Sequence, residues 1–143
     1  MDDKSANDAQ NSAIAARGGI IPYLALDGAG KAADFYVKAF GAEDVARVPA
    51  QGNDGRFIHI HLIINGQSLM LSDPFPEHGH AYKEPAGVTL HLQVTDINRW
   101  FDRAVAAGAT ATMPVRKEFW GDYYGRLKDA FGVEWSLGET PKQ

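Results

Sequence analysis

Residues 32–41 read AADFYVKAFG and residues 97–108 read INRWFDRAVAAG, and these two stretches decide the fold. In each, apolar side chains recur at the spacing of one helical face, and a glycine follows the last of them. The apolar positions are Ala32, Phe35, Tyr36, Ala39 and Phe40 in the first stretch and Ile97, Trp100, Phe101, Ala104 and Val105 in the second. Both stretches are therefore predicted to be amphipathic helices that end at Gly41 and Gly108.

The segments around the two helices repeat as well. One strand is predicted before each helix and three after it, with Gly, Asn and Asp at the turns. The predicted strands span residues 20–26, 43–48, 56–64 and 67–73 in the first half and 88–94, 109–114, 123–128 and 133–137 in the second. Because the order and the spacing both recur, we expect a duplicated βαβββ unit and an α+β fold.

Outside the repeat, the chain divides into a tail and a connecting loop. Residues 1–18 are polar and rich in alanine, which predicts a tail that is ordered only where it docks on something. Residues 19–139 are predicted to form a single domain, with modules at 19–73 and 87–139. The loop 74–86 between the modules is polar and contains three prolines, so we interpret it as a linker or as a lid over a pocket.

The composition excludes several classes of function. The 143 residues include 14 Lys and Arg, 18 Asp and Glu and no cysteine, for a formal net charge of −4. Without a basic run, neither a nucleic acid nor an anionic membrane is expected as a partner. The lack of cysteine rules out a disulfide scaffold, a thiolate zinc site and a cysteine nucleophile. With no apolar run of membrane-spanning length and no hydrophobic leader, we expect a cytoplasmic protein.

Alternation along the predicted strands separates an apolar face from a polar one. The apolar sets, expected to face the helices, are Ile58, Ile60, Leu62 and Ile64 in one strand and Val88, Leu90, Leu92 and Val94 in another. The opposite faces carry Phe57, His59, His61 and Ile63 in the first strand and Thr89, His91 and Gln93 in the second. Polar side chains on the face away from the helices indicate a pocket.

These features resemble the vicinal oxygen chelate superfamily, which includes glyoxalase I, extradiol dioxygenases and bleomycin-resistance proteins, and within it the PhnB-like branch. The matching stretches are Ile21-Pro22-Tyr23-Leu24, Asp34-Phe35-Tyr36, Ala39-Phe40-Gly41-Ala42-Glu43, His59, Leu69-Met70-Leu71-Ser72-Asp73, Phe119-Trp120-Gly121-Asp122, Tyr124-Gly125-Arg126, Phe131-Gly132 and Trp135-Ser136. Two positions depart from the family pattern, because Tyr123 replaces an arginine and Ala130 replaces a proline. The resemblance implies tandem modules that form a half-open barrel of mixed sheet with the helices outside. It also implies a concave pocket for a small-molecule ligand, and a homodimer.

The metal enzymes of that superfamily carry four His or Glu ligands, and the resemblance maps their positions here to Ile21, Met70 or Leu71, Thr89 and Ser136. These side chains lack the imidazole and carboxylate donors that such metal sites need, so no cofactor is expected at the usual site. An alternative is a divalent metal at a non-standard site formed by His59, His61 and His91, with Asp73 or Glu134 completing it. The blander interpretation is that the histidines line the pocket as hydrogen-bonding groups.

Residues 118–125, EFWGDYYG, concentrate aromatic side chains around two glycines. We interpret this stretch either as a hairpin turn with buried rings or as a stacking wall for a planar ligand. The predicted ligand-binding residues are His59, His61, His91, Gln93, Glu118, Trp120, Asp122, Tyr123 and Ser136. His91 and Ser136 are expected to meet only if the barrel closes.

One glycine-rich stretch imitates a nucleotide-binding loop. Residues 26–33 read LDGAGKAA and stand between a predicted strand and a predicted helix. A phosphate loop needs a glycine where Ala25 stands and Ser or Thr where Ala32 stands. We therefore interpret the stretch as a turn that leads into the helix.

Two functions follow from this sequence. The first is a small-molecule-binding protein without the usual metal, which sequesters an aromatic compound. The second is an enzyme in the same pocket. It is either a lyase or oxygenase with a relocated metal, or an isomerase with His59 or Glu118 as general base.

Overall fold

A computed structural model describes residues 15–52 and 54–142 of the chain. Its first half contains β1 (Tyr23–Ala25), α1 (Ala29–Phe40), β2 (Glu43–Pro49), β3 (Phe57–Ile64) and β4 (Gln67–Ser72). The second half contains β5 (Thr89–Gln93), α2 (Ile97–Ala107), β6 (Thr110–Lys117), β7 (Tyr123–Lys128) and β8 (Glu134–Glu139). The duplicated βαβββ order predicted from the sequence is confirmed. The part of the predicted tail that precedes residue 15 lies outside the described residues.

The strands form two four-stranded mixed sheets with the same internal order. Sheet 1 runs β1-β4-β3-β2 and sheet 2 runs β5-β8-β7-β6. Each sheet has one parallel pair, β1 with β4 and β5 with β8, and its other pairs are antiparallel. Within the described residues the sheets do not join into a closed barrel, and β1 and β5 are edge strands. The predicted α+β class is confirmed.

The two helices pack against each other and against one apolar face of each sheet, on the side opposite to the polar faces. The largest fully buried side chains come from both helices and both sheets: Leu26, Tyr36, Ile60, Leu62, Leu71, Ile97, Leu127 and Leu137. Phe40 packs against Trp135 with ring centroids 4.6 Å apart. The two modules therefore share one hydrophobic core.

A buried hydrogen-bonded carboxylate joins the modules. Asp129 follows β7, and its Oδ2 accepts hydrogen bonds from the Tyr36 hydroxyl at 2.6 Å and from the Trp135 indole N–H at 2.9 Å. Its Oδ1 accepts the backbone N–H groups of Phe131 and Val133. Burial and the neighbouring Asp129 charge raise the pKa of Tyr36, so the phenol stays protonated. This contact fixes α1 against the β7–β8 turn.

A second carboxylate occupies the start of α1. Gly28 precedes the helix in the left-handed conformation with φ 93°, and Asp73 accepts the N–H groups of Gly28 and Ala29 at 3.0 and 2.9 Å. A Cβ on Gly30 would lie 2.8 Å from the ring of Phe57, so that glycine makes room for packing. The glycines of residues 26–33 thus serve the turn and the core, in agreement with the interpretation as a turn.

The predicted faces of β3 are wrong at its first two residues. The β2–β3 register shifts between Val48, which pairs with His59, and Pro49, which pairs with Phe57. Such an irregularity changes which way the neighbouring side chains point. Phe57 therefore packs against the core although it was assigned to the polar face, whereas Ile58 is 49% exposed. Val88 precedes β5 and is 63% exposed.

The loop 74–86 folds back on itself after β4 and is held by backbone and side-chain hydrogen bonds. Phe75 and His80 exchange two backbone hydrogen bonds around a 3₁₀ turn at Pro76–His78. The Arg56 guanidinium contacts both carboxylate oxygens of Glu77 at 2.9 and 2.6 Å and lies 4.5 Å from the Phe75 ring centre. The loop beside the start of β3 is thereby held to the loop between the modules.

Candidate functional site

The polar face of sheet 2 brings together more of the predicted residues than any other surface described here. Directly paired residues of neighbouring strands present their side chains on the same face. Three such rows cross β7, β8 and β5: Tyr124, Gly138 and Gln93, then Arg126, Ser136 and His91, then Lys128, Glu134 and Thr89. We use "the sheet 2 face" for Thr89, His91, Gln93, Tyr124, Arg126 and Ser136, together with Trp120 of the adjoining β6–β7 turn.

Both ring nitrogens of His91 are engaged on this face. Nδ1 lies 2.7 Å from the Ser136 hydroxyl, and Nε2 lies 2.9 Å from Gln93 Oε1. With the Gln93 amide in this orientation, Nε2–H donates to Gln93 and the Ser136 hydroxyl donates to Nδ1. The expectation that Ser136 and His91 meet only in a closed barrel is wrong, because β5 and β8 are neighbours within one sheet.

Three rings line up beside these groups. His91 stacks on Tyr124, with ring centres 6.2 Å apart and an interplanar angle of 15°. Trp120 stands edge-on to Tyr124 at 6.4 Å and is 53% exposed. These separations and angles are those of ordinary aromatic pairs. The face therefore presents an aromatic wall that is open to solvent.

Gly138 makes this arrangement possible. It lies in β8 between Tyr124 and Gln93, and a Cβ there would stand 2.8 Å from both Gln93 Oε1 and His91 Cε1. Only a residue without a side chain lets His91 and Gln93 meet above the β8 backbone.

Arg126 lies in the middle row of the face. One terminal nitrogen donates to the Tyr124 hydroxyl at 2.9 Å and the other to Thr89 Oγ1 at 2.9 Å. Glu134 is 3.9 Å away, which is beyond hydrogen-bonding distance. Two neutral oxygens thus hold a positively charged group beside the aromatic wall.

The polar face of sheet 1 carries the other two predicted histidines, which have different surroundings. His59 Nδ1 lies 2.7 Å from the Tyr23 hydroxyl, whose pKa is raised by partial burial. His61 is 4% exposed and lies 2.7 Å from Ser68 Oγ, which also accepts the backbone N–H of Arg17. Burial first, and then electrostatic interaction with His59 and Arg17, lower the pKa of His61. His61 is therefore buried under the segment at Arg17 rather than available to a ligand.

The remaining predicted residues lie in the β6–β7 turn. Its backbone is closed by hydrogen bonds from Glu118 N–H to Asp122 O and from Gly121 N–H to Glu118 O. The Glu118 carboxylate accepts from Arg116 at 2.9 Å, so it is paired rather than poised as a base. Tyr123 immediately precedes Tyr124 in β7 and points to the opposite side of the sheet. Of this group, Trp120 alone contacts a ring of the sheet 2 face.

The predicted ligand-binding residues do not include Thr89, Tyr124 or Arg126, although Thr89 was expected on the polar face and Tyr124 belongs to the aromatic stretch 118–125. Tyr124 and Arg126 stand two residues apart in one strand, so they share a face with each other. That spacing predicts that the two side chains share one face of a strand, but it does not show which strands lie beside it. The pairing of β7 with β8, and of β8 with β5, brings all three side chains to His91.

A hollow of about 230 Å³ lies beside the face, where the two modules meet. Its lining includes Pro22, Ser68, Thr89, His91 and Trp135, and Asn65 of the β3–β4 turn donates to the Gln93 carbonyl at its edge. One end of the sheet 2 face therefore opens into a partly apolar recess.

A model of the glyoxalase/bleomycin resistance protein/dioxygenase superfamily matches residues 23–137. The chain belongs to this superfamily. An uncharacterised protein of Mycobacterium bovis is 44% identical over 128 residues, covering 85% of this chain and 83% of the relative. Protein PA1353 of Pseudomonas aeruginosa has a solved structure with a TM-score of 0.72 and 27% identity, covering 86% of this chain and 98% of that one. The PhnB protein of Bacillus cereus, at 23% identity and a TM-score of 0.62 over 86% and 100% of the two chains, shares the fold.

The residues present do not fit the metal of this superfamily. At two of the mapped ligand positions, Thr89 Oγ1 accepts a hydrogen bond from the Arg126 guanidinium and Ser136 Oγ is paired with His91. Neutral hydroxyls beside a permanent cation are poor surroundings for a divalent ion. Across residues 15–52 and 54–142, no three His, Asp or Glu side chains are grouped as a metal site. The alternative set of His59, His61 and His91 is not assembled, because each histidine has different partners.

Within the described ranges, the structure contains no helix that is long and apolar enough to cross a membrane.

Proposed function

We propose that this protein binds a planar aromatic small molecule on the sheet 2 face and sequesters it without a metal. The observation that carries the proposal is the open aromatic wall of Trp120, Tyr124 and His91 beside polar groups that are already oriented by hydrogen bonds. Ligand sites combine ring surfaces with a few fixed polar groups in this way. A pre-oriented site also reduces the entropy lost on binding.

A second copy of the chain fits the proposal. Two of the four edge strands, β1 and β5, follow exposed apolar residues, since Ile20 is 96% exposed and Val88 is 63% exposed. Exposed edge strands with apolar neighbours favour association. We propose a homodimer that covers these edges, and light scattering after gel filtration should give twice the 15.5 kDa chain mass. A monomer at micromolar concentration would refute it.

The binding proposal is tested by calorimetric titration with planar probes, 2-naphthamide and 2-naphthoate, against the wild-type protein and Trp120→Leu. Loss of one aromatic contact, worth about 0.5–1.5 kcal/mol, should weaken binding by roughly 2- to 12-fold. The matched control is Tyr82→Leu, which removes a half-exposed ring of the loop 74–86 that is not among the residues of the sheet 2 face. If neither probe binds the wild type, or if both variants weaken binding equally, the proposal fails.

One observation favours a second candidate function, an isomerase that moves a proton. The 2.7 Å contact between the Tyr23 hydroxyl and His59 on sheet 1 provides a paired donor and acceptor. Such a pair is suited to general acid–base catalysis. Deuterium uptake from solvent into a bound carbonyl compound, abolished by His59→Gln, would support it, and unchanged uptake in that variant would exclude this pair.

A further inference from the structure

Arg126 differs from most of the other arginines that lie in or beside the described strands. Three of these are paired with carboxylates at 2.6–2.9 Å: Arg47 with Asp34 and Asp44, Arg56 with Asp54 and Glu77, and Arg116 with Glu118. Arg126 is hydrogen-bonded to two hydroxyl groups, and its ion pair with Glu134 is long, at 3.9 Å. Its side chain is one-third exposed. Arg116 of β6 pairs directly with Tyr124 and so lies on the same side of the sheet, but it is bonded to Glu118 at 2.9 Å. Of these two guanidinium groups, Arg126 is the one without a carboxylate within hydrogen-bonding distance.

We propose that the ligand of the sheet 2 face is a planar aromatic carboxylate, and that Arg126 binds its carboxylate group. This inference rests on the proposed aromatic binding and names the class of compound. A guanidinium presents donors in a fork that matches a carboxylate, and such charge-assisted bonds are about twice as strong as neutral ones.

The spacing on the face suits such a ligand. Tyr124 and Arg126 are two residues apart in β7, which separates their side chains by about 7 Å along the strand. A fused ring stacked beside Tyr124 therefore brings a carboxylate on its rim next to the guanidinium. The Tyr124 hydroxyl bonded to Arg126 already fixes the relative position of ring and charge.

The charged side chains around Arg126 also favour an anionic ligand. Arg126 and Lys128 follow one another on this face of β7, and Glu134 is the acidic residue in the same rows of paired positions. An anion placed beside Arg126 thus approaches two cations and one carboxylate, whereas a cationic ligand would meet the opposite balance. Thr89 and Ser136 stand at two of the positions that the resemblance maps to metal ligands. The positive charge beside them is the guanidinium of Arg126, which donates a hydrogen bond to Thr89 and pairs with Ser136 in the sheet.

The test compares two probes of the same shape, 2-naphthoate and its neutral amide 2-naphthamide, by calorimetry at pH 7.5 and low salt. The wild type should bind the carboxylate about 10- to 100-fold more tightly, as expected for a charge-assisted pair. Arg126→Gln should bind the two probes within about threefold of each other, and Arg126→Lys should keep part of the preference. Denaturation midpoints of all variants confirm that each is folded.

Lys128→Gln is the matched control, because it removes a neighbouring positive charge from the same face. It should keep most of the preference if direct pairing with Arg126 is responsible. Equal affinity of the wild type for both probes would overturn the carboxylate inference and leave aromatic binding intact. Failure of both probes to bind would overturn both. A preference that survives in Arg126→Gln, or one that is lost equally in Lys128→Gln, would refute the role of Arg126.

Discussion

Adding a single methyl group at Gly138 should weaken ligand binding without unfolding the protein. The Cβ of Gly138→Ala would stand 2.8 Å from Gln93 Oε1 and from His91 Cε1, and 3.0 Å from His91 Nε2. Both side chains must turn away, and both are exposed, so they can move into solvent. Their mutual hydrogen bond is worth about 0.5–1.5 kcal/mol. Replacing glycine by alanine in a strand returns about 0.5–1 kcal/mol.

These two contributions nearly cancel, but His91 also loses its bond to Ser136 and its stack on Tyr124, so the free energy of unfolding should fall by about 1–3 kcal/mol. Binding should weaken as well, because His91 leaves its stack with Tyr124. The loss of the His91 ring as a contact for the ligand corresponds to roughly a 2- to 12-fold weaker Kd for a naphthalene probe. Urea denaturation gives the first quantity, and calorimetric titration with 2-naphthoate gives the second.

Gly125→Ala provides the contrasting control. Gly125 pairs with Leu137 on the apolar side of sheet 2, and its Cβ would stand 3.0 Å from Val115 and 3.1 Å from the Phe101 ring. Overpacking of this kind costs about 1–3 kcal/mol of stability and should leave the Kd of the folded fraction unchanged. The reasoning is refuted if Gly138→Ala keeps full affinity, or if Gly125→Ala weakens the Kd of the folded fraction as much as Gly138→Ala does.

Three further changes test other parts of the structure. Asp129→Asn should lower the free energy of unfolding, measured in urea, by about 2–4 kcal/mol. The new amide NH₂ would face the Tyr36 hydroxyl and the Trp135 indole N–H, which now donate to the carboxylate. An unchanged midpoint would contradict this. The pKa of His61 is lowered in the folded state, so the unfolded chain binds a proton at this histidine first as the pH falls below about 6.5. The contribution of neutral His61 to the free energy of unfolding is therefore complete above that pH and is lost as the pH falls toward the folded-state pKa. His61→Gln should flatten the decline in Tm between about pH 7.5 and 5. Arg56 lowers the pKa of Glu77 to about 2 through their hydrogen bonds, so Glu77→Gln should speed trypsin cleavage after Lys83 several-fold with little change in Tm; equal cleavage rates would show that this pair does not hold the loop.

The helices and strands could be predicted because their signals are local. The apolar spacing before Gly41 and Gly108 set both helices, and the observed ends agree within a few residues. The repeat then determined the βαβββ order. What failed was the side-chain direction at Phe57 and Ile58, because a register shift depends on the partner strand and leaves no mark in strict alternation.

The candidate site was only partly predictable for the same reason. His91, Gln93 and Ser136 were expected in a pocket, and the structure places them in contact. Arg126 acquires its place from two strand pairings that no local pattern encodes. Glu118 was expected to serve a ligand and instead pairs with Arg116 two residues before it, since short-range pairs of this kind compete with a functional role.

The most direct test of aromatic binding on the sheet 2 face is a two-dimensional ¹H–¹⁵N spectrum of the labelled protein titrated with 2-naphthoate. The account predicts saturable shifts of the Trp120 indole N–H and of backbone amides in β7 around Tyr124 and in β5 around His91. Signals from sheet 1 around His59 should remain in place. Shifts confined to sheet 1 or to the loop 74–86, or no shifts at millimolar probe, would contradict it.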